Sequence, residues 1–182
     1  EVGAQTADFS AALKAAVRED PDLVLVGEMR DLEPIALALN AAASGLLVFG
    51  TLHTNSAAKT VDRIVNVFPI DEQDAVRSVL AESLQAVVAQ QLLRRVGGGR
   101  VAAVEVMFTG PALGNLIREG KSHQLTSYIS AGKRKGMVAM DNALVTLVEQ
   151  GLITPQAGLE KALDKQEYRK KLTDLEALQD EA

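Results

Sequence analysis

The stretch LVLVGEMRD, Leu23–Asp31, places four aliphatic residues directly before Gly27 and the acid Glu28. A short, continuous aliphatic run is typical of a parallel strand that is covered on both faces. A second run of this form, LLVFGTL, occupies 46–52, and patterns typical of helices precede and separate the two runs. Strands separated by helical crossovers predict an α/β fold with a parallel sheet and right-handed connections.

The rest of the chain divides into a mixed part and a helical part. The sequence predicts four elements in the mixed part: an amphipathic helix at 56–68, a second one at 71–95, a glycine turn at 97–99 and a third strand at 100–108. From Pro111 onward only helical patterns follow. We therefore predict a parallel-sheet core over 1–109 and a helical C-terminal subdomain over 110–182.

The composition predicts a soluble globular protein. The chain has 182 residues, 47% of them hydrophobic, and a net charge of −5. It contains no apolar run near the roughly 18 residues that span a bilayer, and no clustered basic stripe, so we expect neither membrane insertion nor a nucleic-acid partner. The absence of cysteine fits a reducing compartment, and we expect a cytoplasmic location. The chain starts at Glu1 without an initiator methionine, which suggests a fragment or a processed product.

Polar side chains follow both aliphatic runs. Ligands of open α/β sheets bind beyond the carboxyl ends of the strands, where Glu28 follows the first run and Thr51, His53 and Thr54 follow the second. A buried strand that ends in an acid has the form of a Walker B segment, whose carboxylate organises Mg²⁺ or the attacking water beside a nucleotide. From the residues alone two structural alternatives stay open. Glu28 would pair with Arg30 in solvent, and His53 would be a neutral histidine in a turn.

Longer blocks resemble a known family. DPDLVLVGEMRDLE at 20–33 and GLLVFGTLHTNSAAKTVDRIVNVFP at 45–69 resemble the Walker B and His boxes of the secretion ATPases that drive bacterial type IV pili. The similarity covers most of the chain. ALGNLIRE at 112–119 resembles the AIRNLIRE motif of the retraction ATPases of twitching motility, with Gly114 in place of its first arginine. The lack of a four-cysteine zinc insert also favours the retraction branch over the extension and type II secretion branches.

The resemblance implies a RecA-like ATPase core with ATP and Mg²⁺ as ligands. It also implies a homo-hexamer that acts on an inner-membrane pilus platform protein from the cytoplasmic side. The chain contains no P-loop, G-x-x-x-x-G-K-[ST], so we expect this chain alone to be inactive. Alternatives that stay open are an accessory retraction ATPase, a type II secretion ATPase and a non-catalytic oligomerisation or docking module.

The resemblance also implies roles for individual residues. Glu28 orients or deprotonates the attacking water and reaches Mg²⁺ only indirectly, because Gly27 stands where many Walker B strands carry an aspartate and no direct metal ligand is identified. His53 contacts the γ-phosphate. Four residues support the nucleotide site: Arg30, Asp31, Thr51 and Thr54. Five residues serve retraction rather than hydrolysis: Asn115, Leu116, Ile117, Arg118 and Glu119.

Overall fold

The computed structural model describes residues 3–19 and 21–180. The helices and strands of these residues follow one another in the order α1 (Phe9–Arg18), β1 (Leu23–Val26), α2 (Leu32–Ala43), β2 (Leu47–Gly50), α3 (Ala57–Asn66), α4 (Gln73–Ser83), β3 (Ala86–Arg94), β4 (Arg100–Phe108), α5 (Pro111–Arg118), α6 (Leu125–Ala131), α7 (Met140–Glu149), α8 (Pro155–Lys161) and α9 (Lys165–Asp180). The helical pattern predicted after Pro111 is therefore confirmed for these residues, apart from an isolated antiparallel bridge between Val138 and Val106 of β4.

The parallel pair predicted from the two aliphatic runs is confirmed. β1 and β2 pair in parallel over four residues each, with α2 as the crossover. Val24 and Val26 on the inner face pack with Leu13 of α1. On the outer face Leu25 is 70% exposed and Phe49 is 52% exposed. The expectation that both faces are covered is thus wrong for this chain. Both α1 and α2 pack on the inner face, which leaves the outer face exposed.

The helix predicted at 71–95 is wrong in its second half. α4 ends at Ser83, and β3 begins at Ala86 and pairs antiparallel with β4 over nine residues. The predicted third strand therefore closes a hairpin across the 97–99 turn and does not extend a parallel sheet. Every second residue of β3 is buried, which is the period of a strand with one covered face. Pairing with β4 overrides the helical propensity of the alanines, glutamines and leucines in this segment.

The contacts group the chain into two compact units. The first unit holds the residues up to Thr54, Lys59–Gln85 and Thr109–Ser122, and the second holds Asn55–Ala58, Ala86–Phe108 and the residues from His123 onward. α5 therefore belongs to the first unit and the β3–β4 hairpin to the second. This grouping does not coincide with the segments 1–109 and 110–182, which remain a prediction of domain organisation.

The core of the second unit lies between the hairpin and the last helices. Leu93 of β3 and Ala103 of β4 pack with Met140 and Leu144 of α7 and with Tyr168 of α9, all buried. A buried cluster of this kind is the main stabilising feature of a two-layer packing. Within 3–19 and 21–180, none of the helices is both long and apolar enough to cross a membrane.

Candidate functional site

The parallel pairing of β1 and β2 continues past the strands and brings their carboxyl ends together. The Met29 amide donates to the Thr51 carbonyl at 2.9 Å, and the Thr51 hydroxyl donates to the Gly27 carbonyl. The segments that carry Glu28 and His53 are thereby held side by side. As the sequence predicted, both side chains lie at one edge of the sheet.

One oxygen of Glu28 is shared by two donors. Its Oε1 lies 2.5 Å from Nε2 of His53 and 2.5 Å from Nε of Arg30. The side chain of Glu28 is 29% exposed, whereas that of His53 is 84% exposed and open to a ligand. The pairing with Arg30 and the meeting with His53, which the sequence offered as alternatives, are thus present together.

The charges around Glu28 favour its ionised form. The hydrogen bond from Arg30 holds the pKa of Glu28 below its ordinary value, and His53 acts in the same direction. The same contact raises the pKa of Arg30. An ionised carboxylate only accepts hydrogen bonds, so Nε2 of His53 is the donor in this pair. The arrangement supplies an acceptor for a water proton beside an exposed imidazole.

The four residues that were predicted to support the nucleotide site make different contacts. Thr51 ties the two strand ends together, and the Thr54 hydroxyl lies 2.7 Å from the hydroxyl of Thr60 in α3. Arg30 contacts Glu28 directly. Asp31 stands at the N-cap of α2, but its side chain makes no capping hydrogen bond, and its charge acts on Arg30. Asp31 is therefore the least engaged of the four.

Sequence reasoning missed two residues of α3. Besides the contact of Thr60 with Thr54, the Arg63 guanidinium donates from Nη2 to the carbonyl oxygen of Arg30 at 3.0 Å. Thr60 and Arg63 are three residues apart and so lie on one helix face. This spacing in the helix directly after His53 is the signal that was available. α3 thus contacts the segment after each of the two strands.

The motif that resembles AIRNLIRE forms α5 and its end. Ile117 is buried and Leu116 is half-buried, while Asn115, Arg118 and Glu119 are exposed. The Arg118 guanidinium donates from Nη1 to Oδ1 of Asn115 at 3.3 Å and lies 3.6 Å from Glu82 of α4. The motif therefore divides into a packing part and a polar surface.

Gly114 of this motif lies against α4. A Cβ at this position would stand 3.3 Å from the Ala81 carbonyl oxygen and 3.5 Å from the Arg118 guanidinium. The glycine therefore fits a close approach of the two helices, at the position where the motif elsewhere carries an arginine.

Residues 2–98, more than half of the chain, match the family profile described as "Type II/IV secretion system protein". The chain belongs to this family. The part that matches includes Glu28, Arg30 and His53 together with α3. The candidate site therefore lies wholly inside the segment that defines this secretion family.

Two curated members of the secretion family are similar over the same share of the chain. The protein named type IV pilus retractation ATPase PilT of Pseudomonas aeruginosa is 57% identical over 162 residues, which are 89% of this chain and 47% of that protein. The type IV pilus ATPase PilU of the same organism is 39% identical over 163 residues, 89% of this chain and 43% of that protein. The chain thus spans about half the length of the curated relatives it matches.

A solved structure confirms the fold class. The crystal structure of the pilus retraction motor PilT with bound ADP matches 92% of this chain and 47% of that chain, with a TM-score of 0.83 and 48% identity. The α/β architecture is therefore that of a partial RecA-like ATPase core followed by helices. Within 3–19 and 21–180, no group of three or more His, Asp or Glu side chains is placed to hold a metal ion.

Proposed function

We propose that the whole protein containing this chain hydrolyses ATP to power type IV pilus retraction and twitching motility. The observation that carries the proposal is the Glu28–His53 hydrogen bond at the carboxyl edge of the parallel strands. Ligands of open α/β sheets bind at this edge. Two findings support the assignment: the similarity to a relative named as a retraction ATPase, and the likeness to a retraction motor with bound ADP.

In this proposal Glu28 orients the water that attacks the γ-phosphorus. The water oxygen forms a bond to phosphorus, the bond from phosphorus to the oxygen that leaves with ADP breaks, and Glu28 accepts the water proton. Because Arg30 lowers the pKa of Glu28, the carboxylate is a weak base. Phosphoryl transfer depends mainly on positioning and charge stabilisation, so we assign Glu28 to orienting the water rather than to removing its proton early.

In this proposal His53 contacts the γ-phosphate and responds to its presence or loss. Its ring is exposed and is fixed to Glu28 through Nε2, and the next residue, Thr54, is held by α3. A change in the contact between His53 and phosphate would therefore act on α3 by chain continuity. Mg²⁺, when bound with ATP, supplies charge neutralisation on the phosphates, and Glu28 would contact it only through water.

The phosphate cradle is not supplied by this chain. Its 182 residues contain no G-x-x-x-x-G-K-[ST] segment, whose backbone amides and lysine hold the phosphates. We propose that this chain alone does not hydrolyse ATP. The working form is a homo-hexameric ring, closed by repeated head-to-tail contacts, at the cytoplasmic side of an inner-membrane pilus platform protein.

Complementation of a strain that lacks the full-length gene tests the proposed function. We expect wild-type and Glu33→Gln genes to restore pilus retraction and the Glu28→Gln gene to fail. Glu33 is a matched control because it is an acid in the first turn of α2, bonded to Ser10 and paired with Lys14 at 3.7 Å. Normal retraction in the deletion strain contradicts the proposal, and a secretion defect alone would indicate a type II secretion ATPase.

Arg118→Ala separates retraction from hydrolysis. Arg118 lies on the exposed side of α5, with Asn115 and Glu82 as its partners. We expect the full-length variant to keep its ATPase activity within about threefold, because no reacting group is removed, and to stop pilus retraction. ATPase assays and retraction assays of the same variant check this. Parallel loss of both activities would contradict a specific role in retraction.

A further inference from the structure

Glu105 of β4 is a buried carboxylate that serves two helix N-termini. The residue is 1% exposed. Its Oε1 accepts the Ala57 amide hydrogen at 2.7 Å and its Oε2 accepts the Met140 amide hydrogen at 2.9 Å. Ala57 and Met140 are the first residues of α3 and α7, and all three residues lie in the second unit. The first amides of a helix have no partner inside the helix, so Glu105 satisfies two of them with one negative charge.

Two helix N-termini partly offset the burial of this charge, and the pKa of Glu105 stays above its ordinary value. Desolvation and, to a smaller extent, the nearby charge of Asp141 raise the pKa of Glu105, while the hydrogen bonds from the Ala57 and Met140 amides act in the opposite direction. Each oxygen of the carboxylate thus accepts a backbone amide. Such a group determines where the two helices begin. If either amide moved away, one carboxylate oxygen would be buried without a hydrogen-bond donor, which costs free energy.

α3 carries both the amide that Glu105 holds and two side chains that contact the segments of the candidate site. Ala57, Thr60 and Arg63 follow one another at three-residue spacing along the helix. Ala57 donates to Glu105, Thr60 contacts Thr54 beside His53, and Arg63 donates to the carbonyl oxygen of Arg30. The hydrogen bond at Ala57 therefore holds the first turn of the same helix that carries Thr60 and Arg63.

We propose that Glu105 is a positioning residue for ATP hydrolysis: by holding the first amide of α3, it fixes the helix that orients the Glu28 and His53 segments. This inference rests on the proposed function. Glu105 touches none of the reacting groups, so it acts on the rate of the chemical step rather than on nucleotide affinity. Errors of about 1 Å in such positioning cost up to about 100-fold in rate.

Asp141 provides a matched control. This acid of α7 is also buried, and its two oxygens accept the amides of Leu163 at 2.8 Å and Asp164 at 2.9 Å. It shares with Glu105 the burial, the charge and two backbone partners in the same unit. Its charge also raises the pKa of Glu105, so Asp141→Asn controls in addition for a change in the charge around Glu105 that leaves the Ala57 contact intact. Its partners lie before α9 and not in α3.

Steady-state kinetics of the full-length protein test the proposal. We expect Glu105→Gln to lower kcat by about tenfold or more and to change the KM for ATP by less than about threefold. The amide of glutamine turns one acceptor into a donor that faces a backbone N–H. Asp141→Asn should leave kcat within about threefold at equal concentrations of folded protein.

Residue-resolved hydrogen exchange gives a readout besides activity. The Ala57 amide should be protected in the wild-type protein, although first-turn amides ordinarily are not. Exchange at Ala57 should accelerate in Glu105→Gln and stay slow in Asp141→Asn. This result stands even when the wild-type protein has no ATPase activity, so failure of the proposed function is distinguishable from failure of this inference.

Three outcomes overturn the inference. They are equal kcat losses in the two variants, unchanged kcat in Glu105→Gln, and an unprotected Ala57 amide in the wild-type protein. If Glu105→Gln does not fold, Arg63→Ala replaces it, because Arg63 is exposed and makes the contact of α3 with the Arg30 carbonyl. Lowered kcat with unchanged KM in Arg63→Ala supports the route through α3, and full activity overturns it.

Discussion

At the residue scale, Oε1 of Glu28 links the segment after β1 to the segment after β2, because it accepts a hydrogen bond from the side chain of His53. The meeting of Glu28 with His53 was predictable because each follows one of two neighbouring parallel strands. The sequence also offered the pairing of Glu28 with Arg30, but as an alternative to a functional site; that both donors share one oxygen was not predictable, because it depends on how the side chains lie in three dimensions. The sequence also did not predict that the Asp31 side chain makes no capping hydrogen bond, because a suitable residue at an N-cap position does not ensure that the bond forms.

In the proposed mechanism, Arg30 sets the acid limit of the full-length protein's activity through Glu28. The pKa of Glu28 lies below its ordinary value of 4.5 because Arg30 donates to it. The stabilisation of the ionised form is therefore complete at pH values above the ordinary pKa of a glutamate. It is lost as the pH falls through the lowered pKa of Glu28. We expect Arg30→Gln to move the acid limb of the kcat profile of the full-length protein to higher pH.

A pH–rate series on both proteins measures this shift. The backbone carbonyl that Arg63 contacts is retained in Arg30→Gln, so the position of α3 is not altered by that route. An acid limb that stays in place or moves to lower pH would show that Arg30 does not control the pKa of Glu28.

At the element scale, the sequence predicted the parallel pair and the helices around it but not the hairpin. AVVAQQLLR mixes good helix formers with one Val–Val pair, and no glycine or proline separates it from α4. Its strand state follows from pairing with β4, a contact between segments that local propensity does not contain. The turn at 97–99 between two runs of similar length was the available hairpin signal.

Gly158 of α8 is required by the packing of Tyr168. A Cβ at position 158 would lie 1.9 Å from the Tyr168 Oη and 2.7 Å from Cζ. Tyr168 is 0% exposed and donates its hydroxyl to the Pro155 carbonyl, so the ring has no free space to enter. We expect Gly158→Ala to lower the free energy of unfolding by about 1–3 kcal/mol, despite a gain of up to about 1 kcal/mol in helix propensity.

Chemical denaturation of the full-length variant measures this loss. Gly151→Ala is not a suitable control, because Gly151 has a positive φ of 66°. Gly27→Ala is suitable, since no atom lies within 4 Å of the added Cβ. A Gly158→Ala protein as stable as the wild type would contradict the packing of Tyr168 on α8.

At the scale of the whole molecule, the sequence predicted the protein family, but it did not predict how the helices and strands group into two units. The blocks at 20–33 and 45–69 point to secretion ATPases because they hold the site residues in order. The grouping of α5 with the first unit and of the hairpin with the second arises from contacts distant in sequence. The exposed outer face of Leu25 and Phe49 likewise depends on which elements pack there, not on the aliphatic run itself.

The most direct test is the ATPase activity and ATP affinity of the purified full-length Glu28→Gln protein, with Glu33→Gln as the control. If Glu28 orients the attacking water, kcat falls by about 10²–10⁴ while the Kd for ATP stays within about threefold, and Glu33→Gln behaves as the wild type. A Glu28→Gln protein that keeps the wild-type kcat, or that loses rate only because it no longer binds ATP, would contradict the role assigned to this carboxylate.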